Sequence, residues 1–132
     1  EAELLSGVKI ETDADAARAA EALLATGLQQ VYISLGGDGL YAADRQGHTA
    51  RVACPAVQVV NATGGGDAVA AALAACITHG RTLEETARLA IGAGALACTS
   101  PETIHPGMSW ENIRYILNKE ELSYEPLSGR CP

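Results

Sequence analysis

Ala16, Ala20, Leu23 and Leu24 recur at helical spacing behind Thr12 and Asp15, whose three-residue separation is that of a capping box, so a helix is predicted there. Gly27 is placed to be its C′ residue. Before it, residues 1–7 read as a short helix, acidic at its start and ended by Gly7. The apolar run at 31–35 predicts a strand following a helix, the order of a parallel α/β sheet. Residues 40–44 and 48–53 predict two strands across the turn Asp44-Arg45-Gln46-Gly47, and 57–60 predict a further strand.

A helix of small apolar residues runs from about Asp67 to Gly80. Thr82 and Glu85 form a second capping box, opening an apolar helix that reaches about Cys98. Residues 99–107, with Pro101 and Pro106, predict a loop. Ser109 then caps an amphipathic helix with Trp110, Ile113 and Leu117 on one face, and 123–132, with two prolines and a glycine, predict a loose tail. The fold class is α/β: helices layered on a sheet that includes a β-hairpin.

Composition narrows the function. Apolar residues make up 48% of the 132, yet Phe is absent and aromatics are 4%, so the core must rest on Ala, Leu, Val and Ile. The 9 basic and 16 acidic residues leave a net charge of −7 with no basic cluster, which argues against nucleic-acid and anionic-membrane partners. No apolar run approaches the roughly 20 residues of a membrane span. Cysteines at 54, 76, 98 and 131 form no C-x-x-C pair, and His48, His79 and His105 are not spaced for zinc. Cys76 and Cys98 lie in apolar helical sequence, where a free thiol packs as a small buried hydrophobe. Reduced thiols in a cytoplasmic protein are expected.

Candidate chemistry concentrates in Asn61-Ala62-Thr63-Gly64-Gly65-Gly66-Asp67, which enters the small-residue helix without a break. Glycines let successive N–H groups turn towards one point, and the helix dipole adds positive potential there, so the pattern suits an anion such as phosphate. A carboxylate in that place is a poor partner for a resting phosphate and a good acceptor for the proton of an attacking hydroxyl. The plainer alternative is a tight glycine turn with Asp67 as an N-cap or first-turn acid. Two further glycine patterns are weak. Residues 37–42 fit G-x-G-x-x-A but lead into strand-like sequence, and 92–97 fit it inside a helix, where small residues allow close packing. No P-loop pattern is present.

The stretch from Val60 to Ala74 resembles the C-terminal signature D-T-x-G-A-G-D of the ribokinase-like (PfkB) carbohydrate kinases. Glu1-Ala2-Glu3-Leu4-Leu5-Ser6-Gly7 resembles the segment that comes after N-x-x in that family's N-x-x-E motif, and Val31-Tyr32-Ile33-Ser34-Leu35-Gly36-Gly37-Asp38-Gly39 its strand and G-x-x-G nucleotide loop. All three stand in the family's order and spacing, and within the family they are most similar to pseudouridine kinases. The resemblance implies the C-terminal part of a ribokinase-like α/β/α sandwich, with residues 1–122 as its nucleotide-binding portion and 123–132 as a tail. It implies MgATP, a small sugar or nucleoside substrate, and a chain that is part of a larger enzyme. A nucleotide-binding module without catalysis is the alternative of another class, and a homodimer is compatible with either.

Residue by residue, the resemblance assigns Asp67 as catalytic base and Gly64, Gly65 and Gly66 as the anion hole. It assigns Ser34, Gly36 and Gly39, with Gly66 and Asp67, to the nucleotide, and the helix around Ile91 to the adenine pocket. Glu1 would act near magnesium through water. In ribokinases the loop at 61–63, with the segment near Ala97 and Ser100, holds an activating monovalent cation such as K+, which implicates Asn61, Thr63 and Ser100. Asn61 stands where many members have Asp, and loss of that carboxylate weakens the case for the ion. The family's sugar-binding residues and lid lie largely in its N-terminal half.

Overall fold

The structure, a computed structural model, describes the backbone of residues 1–128 and the side chains of residues 1–119. The elements in chain order are α1 (Ala2–Ser6), α2 (Asp13–Leu24), β1 (Gln30–Ser34), β2 (Leu40–Asp44), β3 (Thr49–Val52), α3 (Gly65–Thr78), α4 (Leu83–Ala97) and α5 (Trp110–Ser128). A single 3-10 turn, Gly36–Asp38, separates β1 from β2. Both expected capping boxes are complete: the Thr12 and Thr82 hydroxyls accept from the Asp15 and Glu85 N–H groups, and each acid accepts in return from the cap residue. Each satisfies two donors that a helix start otherwise leaves to water.

Strand alternation builds the layers. Val31, Ile33 and Ala43 face one side of the sheet and bury against Ala19, Ala20 and Leu23 of α2. Leu40 and Ala42 face the other side and bury against Leu83, Ala87 and Ile91 of α4. A third cluster joins Ala72 and Cys76 of α3, Leu89, Ala90, Ala93 and Leu96 of α4, and Ile113 of α5. The sheet is thus held between α2 and α4, with α3 and α5 packed on α4. Burying each Leu, Ile or Val contributes about 1.5–3 kcal/mol, and the many alanines bring backbones close instead. A Cβ on Gly94 would lie 2.7 Å from Val69 Cγ2, so α3 and α4 touch where the sequence places its small residues.

Several expectations are corrected. The described sheet is antiparallel throughout, in the order β1-β2-β3, with Tyr32 opposite Ala42 and Ala42 opposite Ala50. β1 pairs with the next strand in the chain because the turn between them is only a few residues long, too short for a crossover. Residues 57–60 form no strand: the Val60 N–H donates to Cys98 O at the end of α4, and Val59 and Val60 stay exposed. Their β-branched pattern satisfies the propensity for a strand without finding an edge to pair with. Ala25, not a residue adjoining Gly27, caps α2, and Gly27 comes after it in a turn at φ +111°. α5 runs through Ser128, past the start of the expected tail, and 129–132 lie outside the described residues. On its apolar face Ile113 is buried, whereas Trp110 is exposed and borders a shallow surface cleft with Ala68, Ala72 and Met108.

Candidate active site

The glycine turn is folded by short-range hydrogen bonds and supported from behind. Asn61 Oδ1 accepts from the Thr63 N–H at 3.0 Å, and the Gly65 N–H donates to Ala62 O at 3.4 Å, closing the chain into α3. Gly64 is the N-cap at φ +90°, a conformation open to glycine and costly for other residues. The segment after α4 fills the rear. Cys98 O accepts from both Val60 N–H and Asn61 N–H, at 2.8 and 3.2 Å, and Asn61 Nδ2 donates to Pro101 O at 3.1 Å. Cys98 Sγ would lie 3.0 Å from a Cβ on Gly65.

The front of the turn is open. A Cβ on Gly66 would meet nothing within 4 Å. Among the described residues the Gly66 and Asp67 N–H groups have no hydrogen-bond partner, as expected at a helix start whose N-cap offers no side chain. Two unpaired donors and the dipole of a 14-residue helix make this a place for an anion.

Beside it lies a cleft of about 330 Å³. One wall is Ser34, Gly36 and Gly37 from the end of β1 and the turn after it, and the other is Gly65, Gly66 and Val69 from α3. Cys54, Val57, Val59, Ile91, Ala95 and Cys98 supply the apolar remainder. An apolar slot opening onto unpaired N–H groups fits a flat heterocycle joined to phosphates. The segment 57–60, which finds no strand partner, is part of this wall.

The predicted residues divide. Ser34, Gly36, Gly65, Gly66 and Ile91 meet around the one cleft. Asp67 is exposed on the first turn of α3, and its carboxylate has no hydrogen-bond or ion-pair partner among the described residues. It is the third residue of the helix, so the N-cap alternative does not hold, and a first-turn acid it remains. Gly64 is turned to the rear, against Thr103 O. Gly39 lines no part of the cleft: it is held at φ +107° where a Cβ would lie 2.0 Å from Val52 O, so it serves the hairpin. Glu1 borders a neighbouring cleft of about 440 Å³ that shares Ser34 with the first. Asn61 and Thr63 are joined to each other, while the buried Ser100 Oγ accepts from the Glu102 N–H at 3.1 Å.

Two residues lining these clefts carry no mark of a site role in the sequence. Arg51 of β3, in the cleft beside Glu1, donates to Asp38 O at 2.7 Å and Val52 O at 3.0 Å and pairs with Asp13 at 2.9 Å. It thereby ties the turn after β1 to the start of α2. Nothing local marks Arg51, because its reach depends on hairpin register, which sets it opposite Tyr41. Cys98, expected as a core thiol, instead stands at the cap of α4 facing the glycine turn.

Known proteins resemble this chain in sequence and fold. The pfkB family carbohydrate kinase domain matches residues 1–111. The pseudouridine kinase of Escherichia coli K12 is 35% identical over 121 residues, covering 92% of this chain and 39% of that enzyme. A crystal structure assigned as a sugar kinase from Clostridium perfringens superposes with a TM-score of 0.83 at 30% identity, over 90% of this chain and 37% of that one. Arabidopsis thaliana ribokinase, complexed with ribose and ATP, superposes with a TM-score of 0.76 at 28% identity, over 88% and 38%. The chain thus spans about two fifths of the length of the first of these relatives and carries a ribokinase-like α/β arrangement.

Proposed function

The chain belongs to the pfkB family of carbohydrate kinases, and from that premise we propose that it forms the nucleotide side of an enzyme phosphorylating a sugar or nucleoside hydroxyl with ATP. The observation that carries the reading is the single cleft bounded by Ser34 and Gly36 on one wall and by Gly65 and Gly66 on the other. Pseudouridine is the substrate that the similarity favours, with pseudouridine 5′-phosphate and ADP as products.

In this reading the adenine lies among Val57, Val59 and Ile91, and the phosphates reach the unpaired N–H groups at the start of α3. Asp67, with no partner among the described residues, takes the proton of the 5′-hydroxyl as its oxygen attacks the γ-phosphorus and the bond to ADP breaks. The N–H groups hold the charge that spreads over the transferring group, as an oxyanion hole does. Magnesium, which binds through one or two carboxylates together with substrate phosphates, would be held near Glu1 through water, where it would neutralise phosphate charge. Glu1 borders the cleft that shares Ser34 together with four other acids, Glu3, Glu11, Asp13 and Asp38, an acidic lining that suits a divalent cation. Residues 1–122 are the part assigned to the nucleotide, in a cytoplasmic enzyme that uses small molecules and is compatible with a homodimer. No helix among the described residues is long and apolar enough to cross a membrane.

The test is phosphoryl transfer by the full-length protein containing this chain, with MgATP and either pseudouridine, uridine or ribose, read as the monophosphate formed. Pseudouridine 5′-phosphate as the main product is expected. Preference for ribose would move the substrate to a free sugar. Absence of transfer to all three, with ATP still bound, would leave a nucleotide-binding module.

A further inference from the structure

The loop behind the glycine turn is cross-braced by one side chain. Asn61 Oδ1 accepts from the Thr63 N–H at 3.0 Å, and its Nδ2 donates to Pro101 O at 3.1 Å. The orientation of the amide is set by these partners, since an N–H must meet the oxygen and a carbonyl must meet the NH2. One lone pair of the Pro101 carbonyl is therefore already taken by a donor. Ser100 Oγ, expected as a contributor with Asn61 and Thr63, is buried and engaged by the Glu102 N–H. A monovalent cation needs several oxygens converging with free lone pairs. Here an amide hydrogen lies between the loop at 61–63 and the loop at 98–103, so these residues do not fit that ion.

We propose that the Asn61 amide takes the place of a monovalent cation, bridging the two loops through a side chain the protein carries itself, so that the anion turn is organised without K+. Asn61 is then a positioning residue. It acts on Gly65 and Gly66 through Thr63 and through the shared anchor of Val60 and Asn61 on Cys98 O. Asn61→Asp should reverse the situation. One carboxylate oxygen can still accept from Thr63, but the other would face Pro101 O, acceptor against acceptor, at the spacing now filled by the N–H. A cation would relieve that opposition.

The inference rests on the kinase reading for its effect on turnover, but its structural half does not. The experiment measures thermal melting and phosphoryl transfer of the full-length protein in K+, Na+ and tetramethylammonium chloride at equal ionic strength. For the wild type, melting should agree across the salts within about 1 °C, as expected when no ion binds the folded state selectively. Turnover should agree within about twofold, since no ion is needed to organise the turn. Asn61→Asp should melt lower in tetramethylammonium and recover by about 2–4 °C in K+, the shift that about 1 kcal/mol of selective binding produces in a protein of about 150–250 residues. Specific stabilisation of the wild type by K+, or an Asn61→Asp protein whose melting ignores the cation, would overturn the proposal. Should the variant fail to fold, the wild-type comparison alone decides. A protein that transfers no phosphoryl group yet melts indifferently to the salt would remove the kinase reading and leave the amide bridge standing.

Discussion

Gly64 and Thr103 meet backbone to backbone: a Cβ at Gly64, where φ is +90°, would lie 2.5 Å from the Thr103 carbonyl oxygen. The first turn of α3 is consequently set by a contact with the loop after α4, far away in sequence. Because that contact leaves no room for a side chain, Gly64 reads as a support of the anion turn rather than a surface of it.

Gly64→Ala should therefore destabilise the protein as well as impair it. The left-handed conformation costs a side chain about 1–2 kcal/mol, and forcing a methyl group against a carbonyl adds about 1–3 kcal/mol. Urea unfolding of the full-length protein should show a lower midpoint with an unchanged slope. An unaltered midpoint would mean that the rear contact is absent in solution.

Gly66→Val should behave in the opposite way. Space is open around Gly66 and its φ is negative, so stability should stay within about 1 kcal/mol of wild type, the scale of helix propensities. Turnover should nevertheless fall, because the new side chain crowds the cleft and screens the N–H groups. Losing one oxyanion donor is worth about 3–4 kcal/mol at most. Steady-state kinetics beside a melting curve separates the two effects, and unchanged turnover would count against an anion site at this turn.

Asp67→Asn in the full-length enzyme should lower kcat by about 10²–10⁴-fold, the range for removing a general base. ATP affinity should change little, since the carboxylate lies outside the cleft lining. Single-turnover transfer together with calorimetric ATP binding checks both halves. A variant keeping more than about a third of wild-type turnover would exclude Asp67 as the base.

Asp44 predicts a pH dependence away from the site. Burial pushes its carboxyl up. The His48 side chain and the His48 and Gln46 N–H groups push it down and prevail, so it lies below the usual carboxylate range. A depressed folded value means that the stabilisation is complete above the unfolded value, about 3.9, and is lost as pH falls through the folded one. Wild type should lose stability relative to Asp44→Asn between about pH 4 and pH 2. Paired denaturation curves across that interval measure it, and parallel curves would remove Asp44 as a stabilising group.

The sequence by itself determined much of the chain's local order. Thr12 with Asp15 and Thr82 with Glu85 announced two helix starts, because a capping box is complete within four residues and needs no tertiary partner. The three glycines before Asp67 announced the turn into α3 for a similar reason. Spatial grouping was another matter. That Ser34, Gly36, Gly65 and Gly66 border one cleft while Gly39 and Gly64 serve as packing points was decided by what stands opposite each glycine. A glycine motif reports freedom of the backbone and is silent on whether water, a ligand or a carbonyl will occupy the space. Strand pairing was likewise beyond reach: 31–35 and 57–60 look alike as apolar β-branched runs, yet only the first found a ladder in this chain. Pairing depends on a neighbour at hydrogen-bond distance, and propensity carries no information about neighbours. Asn61 is the sharpest case. Its identity was plain from the start, but whether its amide would bridge two loops or point into solvent was settled only by the Pro101 carbonyl, which the α3–α4 packing brings within 3.1 Å.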